Sequence, residues 1–434
     1  MSKILYANER HGVYPNSYYL ASSDQLEPFG ALSGEHDCDV CVIGGGFSGL
    51  SAALHLRRAG YDVVVLDAHR VGWGASGRNG GQVGSGQRLD QLELEELVGL
   101  DDAKSLWKLG EQAKALVSSL IGENNIDCHY VSGVMDVNHK KRYSDETRAY
   151  VDHLQTEYDY GKIRYMNANE VRSVLDTDAY FDGTHDAGAG HLHPLRFVLG
   201  LARLCVAAGV RIFEKTEALD VVEGRKVTVK TSAGMLNAEH IIIATNGYGD
   251  GLLPQVRRRV LPINNFVIAT EPLDERVAGS LIANNAAVAD TKFVVNYFRM
   301  SKDNRLLFGG RESYRYKFPA DIKNYVRQAM LKVYPQLRHV KIEYGWGGVV
   351  GVTMNRMPFF GQLSRRILSV GGYSGHGVAL GVLGGQLAAE TIQTTAERFS
   401  VMERVPTEVI PGGGRLRLPL LALGMMYYSL RDRI

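Results

Sequence analysis

Cysteine is scarce in this chain: four among 434 residues, at Cys38, Cys41, Cys128 and Cys205. So few thiols exclude the disulfide framework of small secreted domains, and a reducing cytoplasm is the expected setting. Cys38 and Cys41 form a C-x-x-C pair, but they open an apolar strand, where residues three apart point to opposite faces. Redox chemistry wants such a pair at a helix N-terminus, so none is read from it. No run of about 18 apolar residues exists, which removes a spanning helix. The opening MSKILYANERHGVYPNSYYLASS lacks the apolar segment of a signal peptide. A net charge of only +2 gives no reason to expect nucleic acid or an anionic membrane as partner. His191 and His193 share a strand face without further ligands nearby, so no metal is expected.

What the chain does have is glycine, 49 in all, and its most organised stretch is VCVIGGGFSGLSAALHLRRAGYDVVVLDA, Val40 to Ala68. An apolar strand runs into Gly44, with glycines again at Gly46 and Gly49; a helical pattern continues through Phe47 and Ser48 to Gly60. A second apolar strand then delivers Asp67, 18 positions after the last glycine. This is a βαβ unit with a G-x-G-x-x-G turn and a trailing acid. Gly44 permits the tight turn, Gly46 lets backbone approach a pyrophosphate, and Gly49 lets helix pack on strand. The helix N-terminus offers unpaired N–H groups and partial positive charge to phosphates. Asp67 suits a ribose 2′-hydroxyl and would repel a 2′-phosphate, which points to FAD or NAD over NADP. Gly72, Gly74 and Gly77 repeat the spacing but lack a strand before and a helix after, so they are not a second site.

Further along, Gly72–Gly86 is too glycine-rich for a regular element and reads as a functional loop, with Ser76, Arg78 and Asn79 as donors. Helical patterns occupy Leu97–Glu123 and Ser144–Tyr160, with a strand near Val134–Val137 between them. Asn167 with Glu170 reads as a capping box, and Pro194 opens a helix that Gly209 closes. Strands follow at Arg211–Glu214, Val227–Thr231 and His240–Thr245. A β-rich region spans Pro262 to Gly310, where alternation puts Tyr297 and Arg299 on one face. A helix at Asp321–Tyr334, glycine-rich turns at Gly345–Gly351 and Gly371–Gly377, and a helix from Val378 complete the pattern. The expected class is α/β. A Rossmann-like dinucleotide domain comprises 37–100, 186–255 and 340–400, and an inserted mixed-sheet substrate domain comprises 101–185 and 256–339. An arm (1–36) precedes them and a tail (401–434) follows; its apolar part, Leu416–Tyr428, is read as packing on the chain itself.

No second well-placed fingerprint exists, which counts against flavoenzymes reduced by NAD(P)H, and three separated glycine-rich segments suit a long ligand such as FAD. The fingerprint, GASGRNGGQ (Gly74–Gln82), HLHP (His191–Pro194), ATNGY (Ala244–Tyr248), YFR (Tyr297–Arg299), GYSGHG (Gly372–Gly377) and YYSLRDR (Tyr427–Arg433) carry a resemblance. Together they resemble the γ-glutamylputrescine oxidases, a branch of the FAD-dependent amine and amino-acid oxidases that includes glycine, sarcosine and D-amino-acid oxidases. The resemblance implies a D-amino-acid-oxidase-like two-domain fold. It implies that Gly44, Gly46, Phe47, Ser48, Gly49, Asp67 and Ala68 hold the ADP half, with Ala218 near adenine and Ala244 beside the cleft. Ser76, Arg78, Asn79, Gly80, Gly81 and Gln82 would lie along pyrophosphate and flavin, and Gly372, Tyr373, Gly375, His376 and Gly377 would meet the ring.

The implied reaction oxidises a C–N bond: hydride passes to flavin N5, the imine hydrolyses, and O2 reoxidises the flavin to give H2O2. Hydride leaves only from a neutral amine, so an apolar pocket can replace a strong base. His376 is the residue expected at the ring; Arg299, Tyr297 and Trp346 are the candidates for substrate, Arg299 through a carboxylate. No cysteine falls near the expected ring position, which suits non-covalent FAD. Another amine or imino-acid oxidase, acting on pipecolate or a secondary amine, and a flavin dehydrogenase passing electrons to a protein partner remain open as alternatives.

Overall fold

Two large sheets divide the chain, described in a computed structural model over residues 3–249 and 251–411. The apolar Leu416–Tyr428 and the YYSLRDR segment lie outside the described residues.

The first sheet has eight strands. Its path runs Phe359–Gln362, Ile367–Gly371, Gly234–Ile243, Gly34–Ile43, Val63–Leu66 and Arg211–Phe213, with Val227–Lys230 also paired to Gly234–Ile243 and Asp220–Glu223 paired in turn to Val227–Lys230. Gly34–Ile43 pairs in parallel with both Gly234–Ile243 and Val63–Leu66, and Ile367–Gly371 extends the parallel set. Parallel strands covered on both faces have no solvent side, so they read as unbroken apolar runs. Val63–Leu66 is buried at all four positions. One face is covered by the helices Phe47–Arg58, Pro194–Ala207 and Ala379–Ile392. Pro194 stands at the first turn of its helix, and the His193 ring accepts from Arg196 N as the cap. Cys38 and Cys41 are free and enter the same apolar cluster, not opposite faces, and burial pushes the Cys38 thiol up to about 12. A thiol held protonated in this way is inert.

The second sheet is mixed and has nine strands, in the order Ile342–Val352, Leu261–Thr270, Leu306–Ser313, Tyr297–Met300, Ala287–Asp290, Val131–Val137, Gly183–His191 and Gln82–Val83, with Ile163–Met166 on Gly183–His191. Ile342–Val352 pairs with Leu261–Thr270 along its length, so residues 342–352 sit in this sheet and not with the dinucleotide unit, where a boundary at 340 puts them. The outer face carries Phe266, Phe298 and Phe308 under the helix Ile322–Val333, whose C-cap residue Tyr334 joins the same cluster; Phe298 and Phe308 stack with ring centroids 5.4 Å apart.

The helical pattern expected at Leu97–Glu123 is two helices, Gln91–Val98 and Leu100–Glu123, broken at Gly99 with φ +83°. Asp90 and Glu93 form a capping box on the first. The arm does not stand apart. Tyr14, Tyr18 and Tyr19 are buried in the core of the first sheet. Lys3 and Tyr6 bond Glu217, and Asn8 bonds both Tyr316 O and Phe318 N, so the arm ties the two sheets together.

Candidate active site

One continuous cavity of about 1380 Å3 lies between the sheets, reaching from Lys3 and Glu217 at one end to Asp136 and Arg356 at the other. That exceeds the roughly 300–1,000 Å3 usual for a small ligand, so there is room for an extended cofactor and a second molecule.

At the first end, strand Gly34–Ile43 turns at Gly44, φ +114°, where a Cβ would stand 2.6 Å from Ala244 O. A Cβ on Gly46 would stand 2.8 Å from Ser76 Oγ, and that oxygen accepts from Phe47 N, the first helical amide. A Cβ on Gly49 would overlap the Gly44 carbonyl oxygen. The turn therefore presents bare main chain at a helix N-terminus, the chemistry that suits a pyrophosphate. Asp67 Oδ2 accepts from Gly45 N and Oδ1 from His69 N, both at 2.8 Å. Burial outweighs these bonds and raises the carboxyl to about 6. Ala68, Ala218 and Ala244 line the same end, and His69 stacks on Trp73 with centroids 3.6 Å apart.

Along the middle runs the glycine-rich loop. Asn79 donates to Ala75 O and Ser76 O and accepts from Gly81 N, so one side chain holds the loop's shape. Arg78 donates to Trp73 O and Gly347 O, stacks over Trp73, and meets Glu9 of the arm. At the far side, Tyr373 hydroxyl meets Ser48 Oγ at 2.7 Å, and Gly372 N donates to Asn246, so the late loop is fastened to the fingerprint helix. His376 packs against Gly84, where a Cβ would stand 2.5 Å from Cε1. Burial first, then the charges of Arg88 and Lys114, lower its imidazole to about 4, so the ring is neutral at pH 7. Arg78 Nη2, Thr245 Oγ1 and His376 Nε2 are buried polar atoms without partners, and all three residues line this cavity. Buried polar groups are ordinarily satisfied, so the three together fit a polar ligand lying along the cleft.

The residues singled out from the sequence for FAD all line the cavity except Gly49 and Gly372, which shape its wall from behind. The substrate candidates divide. Tyr297 lines the cavity, with its hydroxyl 2.5 Å from Asn265 Oδ1. Arg299 does not. Its guanidinium turns under the Gly80–Gly81 loop and donates to Gly80 O, Leu192 O, Met300 O and Tyr19 Oη. Trp346 is buried behind the loop, with Nε1 donating to Arg78 O. Both form a wall, because main-chain carbonyls already take the donors a substrate would need. His191 bonds Asn285 O and His193 caps a helix; no group of three or more metal-ligating side chains occurs among the described residues. No helix among them is long and apolar enough to cross a membrane.

Sequence reading missed four charged residues at the end of the cavity away from the fingerprint: Arg88, Asp136, Glu312 and Arg356. One signal was available. Asp136 interrupts the otherwise apolar Val134–Val137, where a lone acid needs a reason.

Residues 39–391 match the DAO family, FAD dependent oxidoreductase. The chain is 40% identical over 418 residues to a Rhizobium meliloti protein described as "Probable oxidoreductase OrdL", covering 96% of this chain and 97% of that one. It is 39% identical over 425 residues to the γ-glutamylputrescine oxidoreductase of Escherichia coli, covering 97% and 99%. Among solved structures, glycine oxidase from Bacillus cereus superposes with a TM-score of 0.69 at 19% identity, covering 86% of this chain and 99% of that one. A fingerprint cleft bordered by two sheets, and a family match over most of its length, place this chain among the DAO-family FAD-dependent oxidoreductases.

Proposed function

We propose that this enzyme oxidises the C–N bond of a γ-glutamyl amine, γ-glutamylputrescine or a near analogue, with O2 as the electron acceptor. One observation carries the reading: the fingerprint end, the neutral His376 and the Tyr297 wall belong to one unbroken cavity. The amine is suggested by the Escherichia coli relative, which matches from end to end. Gly44 to Gly49, with Asp67, Ala68, Ala218 and Ala244, would hold the ADP half of FAD. Ser76, Arg78, Asn79, Gly80, Gly81 and Gln82 would run along its centre, and Gly372, Tyr373, Gly375, His376 and Gly377 would border the ring. None of the four cysteines lines the cavity, which supports non-covalent attachment.

Bound FAD supplies a two-electron acceptor. The chain's own residues have two tasks. The first is to keep the reacting nitrogen uncharged. Tyr297 is buried enough to hold its phenol well above the usual range, and a cationic amine placed beside it loses hydration, which lowers its pKa. The second is to avoid adding charge of their own, and His376 meets it, staying neutral above about pH 4. The net reaction is amine plus O2 plus water to aldehyde, ammonia and H2O2.

An aerobic peroxide assay across γ-glutamylputrescine, putrescine, pipecolate and sarcosine tests this. We expect H2O2 with γ-glutamylputrescine, and kcat/KM rising with pH by up to tenfold per unit until the amine is neutral. A flat profile from about pH 6 to 10, or dye reduction without oxygen uptake, rejects the oxidase reading.

The same site makes a second expectation. Ribose hydroxyls donating to Asp67 would favour its carboxylate, so FAD binding releases a proton wherever the apo-protein carboxyl is protonated. Affinity for FAD then increases as pH rises towards and through about 6, and levels off above. Reconstitution of apo-protein followed by flavin fluorescence reads it. In Asp67→Asn the pH dependence disappears; its survival there assigns the proton to another group.

A further inference from the structure

The substrate end of the cavity holds four charged side chains that do not pair with one another. Arg88 Nε donates to Ser374 O at 3.0 Å, and its two terminal nitrogens have no partner among the described residues. Arg356 stacks over Phe293 at 4.6 Å and forms no side-chain hydrogen bond or ion pair among them either. Its backbone is held at φ +64°, unfavourable for a long side chain, within a turn fastened by Arg356 N to Thr353 O and Thr353 Oγ1 to Met357 O. Opposite in sign are Asp136 and Glu312. The Asp136 side chain forms no hydrogen bond among the described residues; it is exposed to the cavity, and desolvation by the surrounding walls together with Asp186 raises its carboxyl to about 6. Glu312 receives one bond, from Tyr314, at Oε2, while burial raises its carboxyl too. Arg88 feels the charges of Arg356, Glu93, Asp136 and Glu312, so the four share one electrostatic neighbourhood. Glu93 is already engaged at its own helix cap.

Arg88, Glu312 and Arg356 are half-buried and Asp136 is exposed, so all four face the open cavity instead of pairing off as fully buried charges do. Two guanidiniums and two carboxylates left apart in a cavity ask for a ligand that carries both signs. An amino-acid head group does so, with its carboxylate and its ammonium. A substrate with one nitrogen does not, since that nitrogen must be neutral to react and would leave both acids unpaired. A free diamine brings only positive charge towards two arginines.

Building on the amine-oxidase reading above, we propose that Arg88 and Arg356 bind the α-carboxylate and Glu312 and Asp136 the α-ammonium of a γ-glutamyl head group. These four side chains set substrate specificity without touching the bond that is oxidised.

The test compares γ-glutamylputrescine with N-acetylputrescine, which offers the same reacting amine without the head-group charges. In wild type, kcat/KM for γ-glutamylputrescine exceeds that for N-acetylputrescine. In Arg356→Met, KM for γ-glutamylputrescine rises on the order of 10- to 100-fold, the loss expected for a charge-assisted bond. The same variant leaves kcat and the N-acetylputrescine kinetics alone. A rise shared by both substrates, or no rise, overturns the assignment. A wild-type measurement stands even if the variant does not fold. L-glutamine, with the full head group and no distal amine, should inhibit competitively at least tenfold more tightly than glutaramate, which lacks the ammonium. Equal inhibition removes the two acids from the proposal. Wild type that oxidises both amines equally well keeps the oxidase reading and loses this one; wild type that oxidises neither loses the oxidase reading itself.

Discussion

Gly49→Ala is expected to produce protein with little or no bound FAD and a lowered melting temperature. The added Cβ falls on the Gly44 carbonyl oxygen, lies 3.0 Å from the Gly44 carbonyl carbon, and meets Val42 Cγ1 at 3.2 Å. Two of these three atoms are backbone in the cofactor turn itself, so no side-chain rotation relieves them. Nor can the helix Phe47–Arg58 retreat. On its other side a Cβ at Gly385 would overlap Ser48 O and come within 2.7 Å of Ala52 N, so the helix Ala379–Ile392 already touches it main chain to main chain. A helix confined on both sides transmits the clash to the turn. Overpacking of this kind costs about 1–3 kcal/mol or more, and here the displaced atoms are those proposed to meet the pyrophosphate. Gly122→Ala is the control: nothing lies within 4 Å of its Cβ, and the position is helical. That change should leave flavin content untouched and raise stability by up to about 1 kcal/mol. Flavin absorbance of the purified proteins and their melting curves decide the matter. A Gly49→Ala protein that is yellow and as stable as wild type refutes the close-approach account.

The fingerprint was legible in the sequence because its constraints are local: strand, turn, helix and acid lie within 28 residues, Val40 to Asp67, and each glycine has a neighbour that forbids a side chain. The late loop was legible for the same reason, since Gly372 and Gly375 adopt positive φ next to a helix. The opposite end of the cavity was not. Arg88, Asp136, Glu312 and Arg356 stand on a loop end, a strand, another strand's end and a turn, and only the order of strands in the second sheet brings them together. Alternation correctly assigned Tyr297 and Arg299 to one face of their strand, and its reach ended at Cβ. Tyr297 is short and rigid and stays at the cavity wall. Arg299 is long, and carbonyls from Gly80 and Leu192, both remote in sequence, decide where its head goes. The missed boundary at residues 342–352 is of the same kind, because the glycine-rich YGWGGVVG reads as turn and becomes a strand only when Leu261–Thr270 pairs with it.

Arg299 supplies the second large effect. It is 6% exposed, and no carboxylate faces it among the described ion pairs. The backbone solvates its charge instead: Nε donates to Gly80 O at 2.7 Å, Nη2 to Leu192 O at 3.0 Å and to Tyr19 Oη at 3.2 Å, and Nη1 to Met300 O at 3.3 Å. Beyond Met300 on its own strand, these acceptors come from the Gly80–Gly81 loop, the link between the strand Gly183–His191 and the Pro194 helix, and the arm. One guanidinium thus joins three parts of the molecule to its own strand. Arg299→Met keeps the volume and removes every donor. Three carbonyls are then buried without partners at about 1–3 kcal/mol each, partly relieved by water, so a net loss of about 3–5 kcal/mol is expected. Arg299→Lys keeps the charge but replaces a planar fork with a single point donor, and should lose about half as much. Because Gly80 and Gly81 lie along the proposed flavin path, FAD should leave both variants more readily, at a lower denaturant concentration than in wild type. KM for the amine should barely move in whatever fraction remains folded and flavin-loaded. A carboxylate-binding Arg299 makes the opposite demand: unchanged melting, unchanged flavin retention, and a large rise in KM. Denaturation followed by flavin fluorescence, with KM measured on the loaded enzyme, separates a strut from a substrate ligand in one preparation.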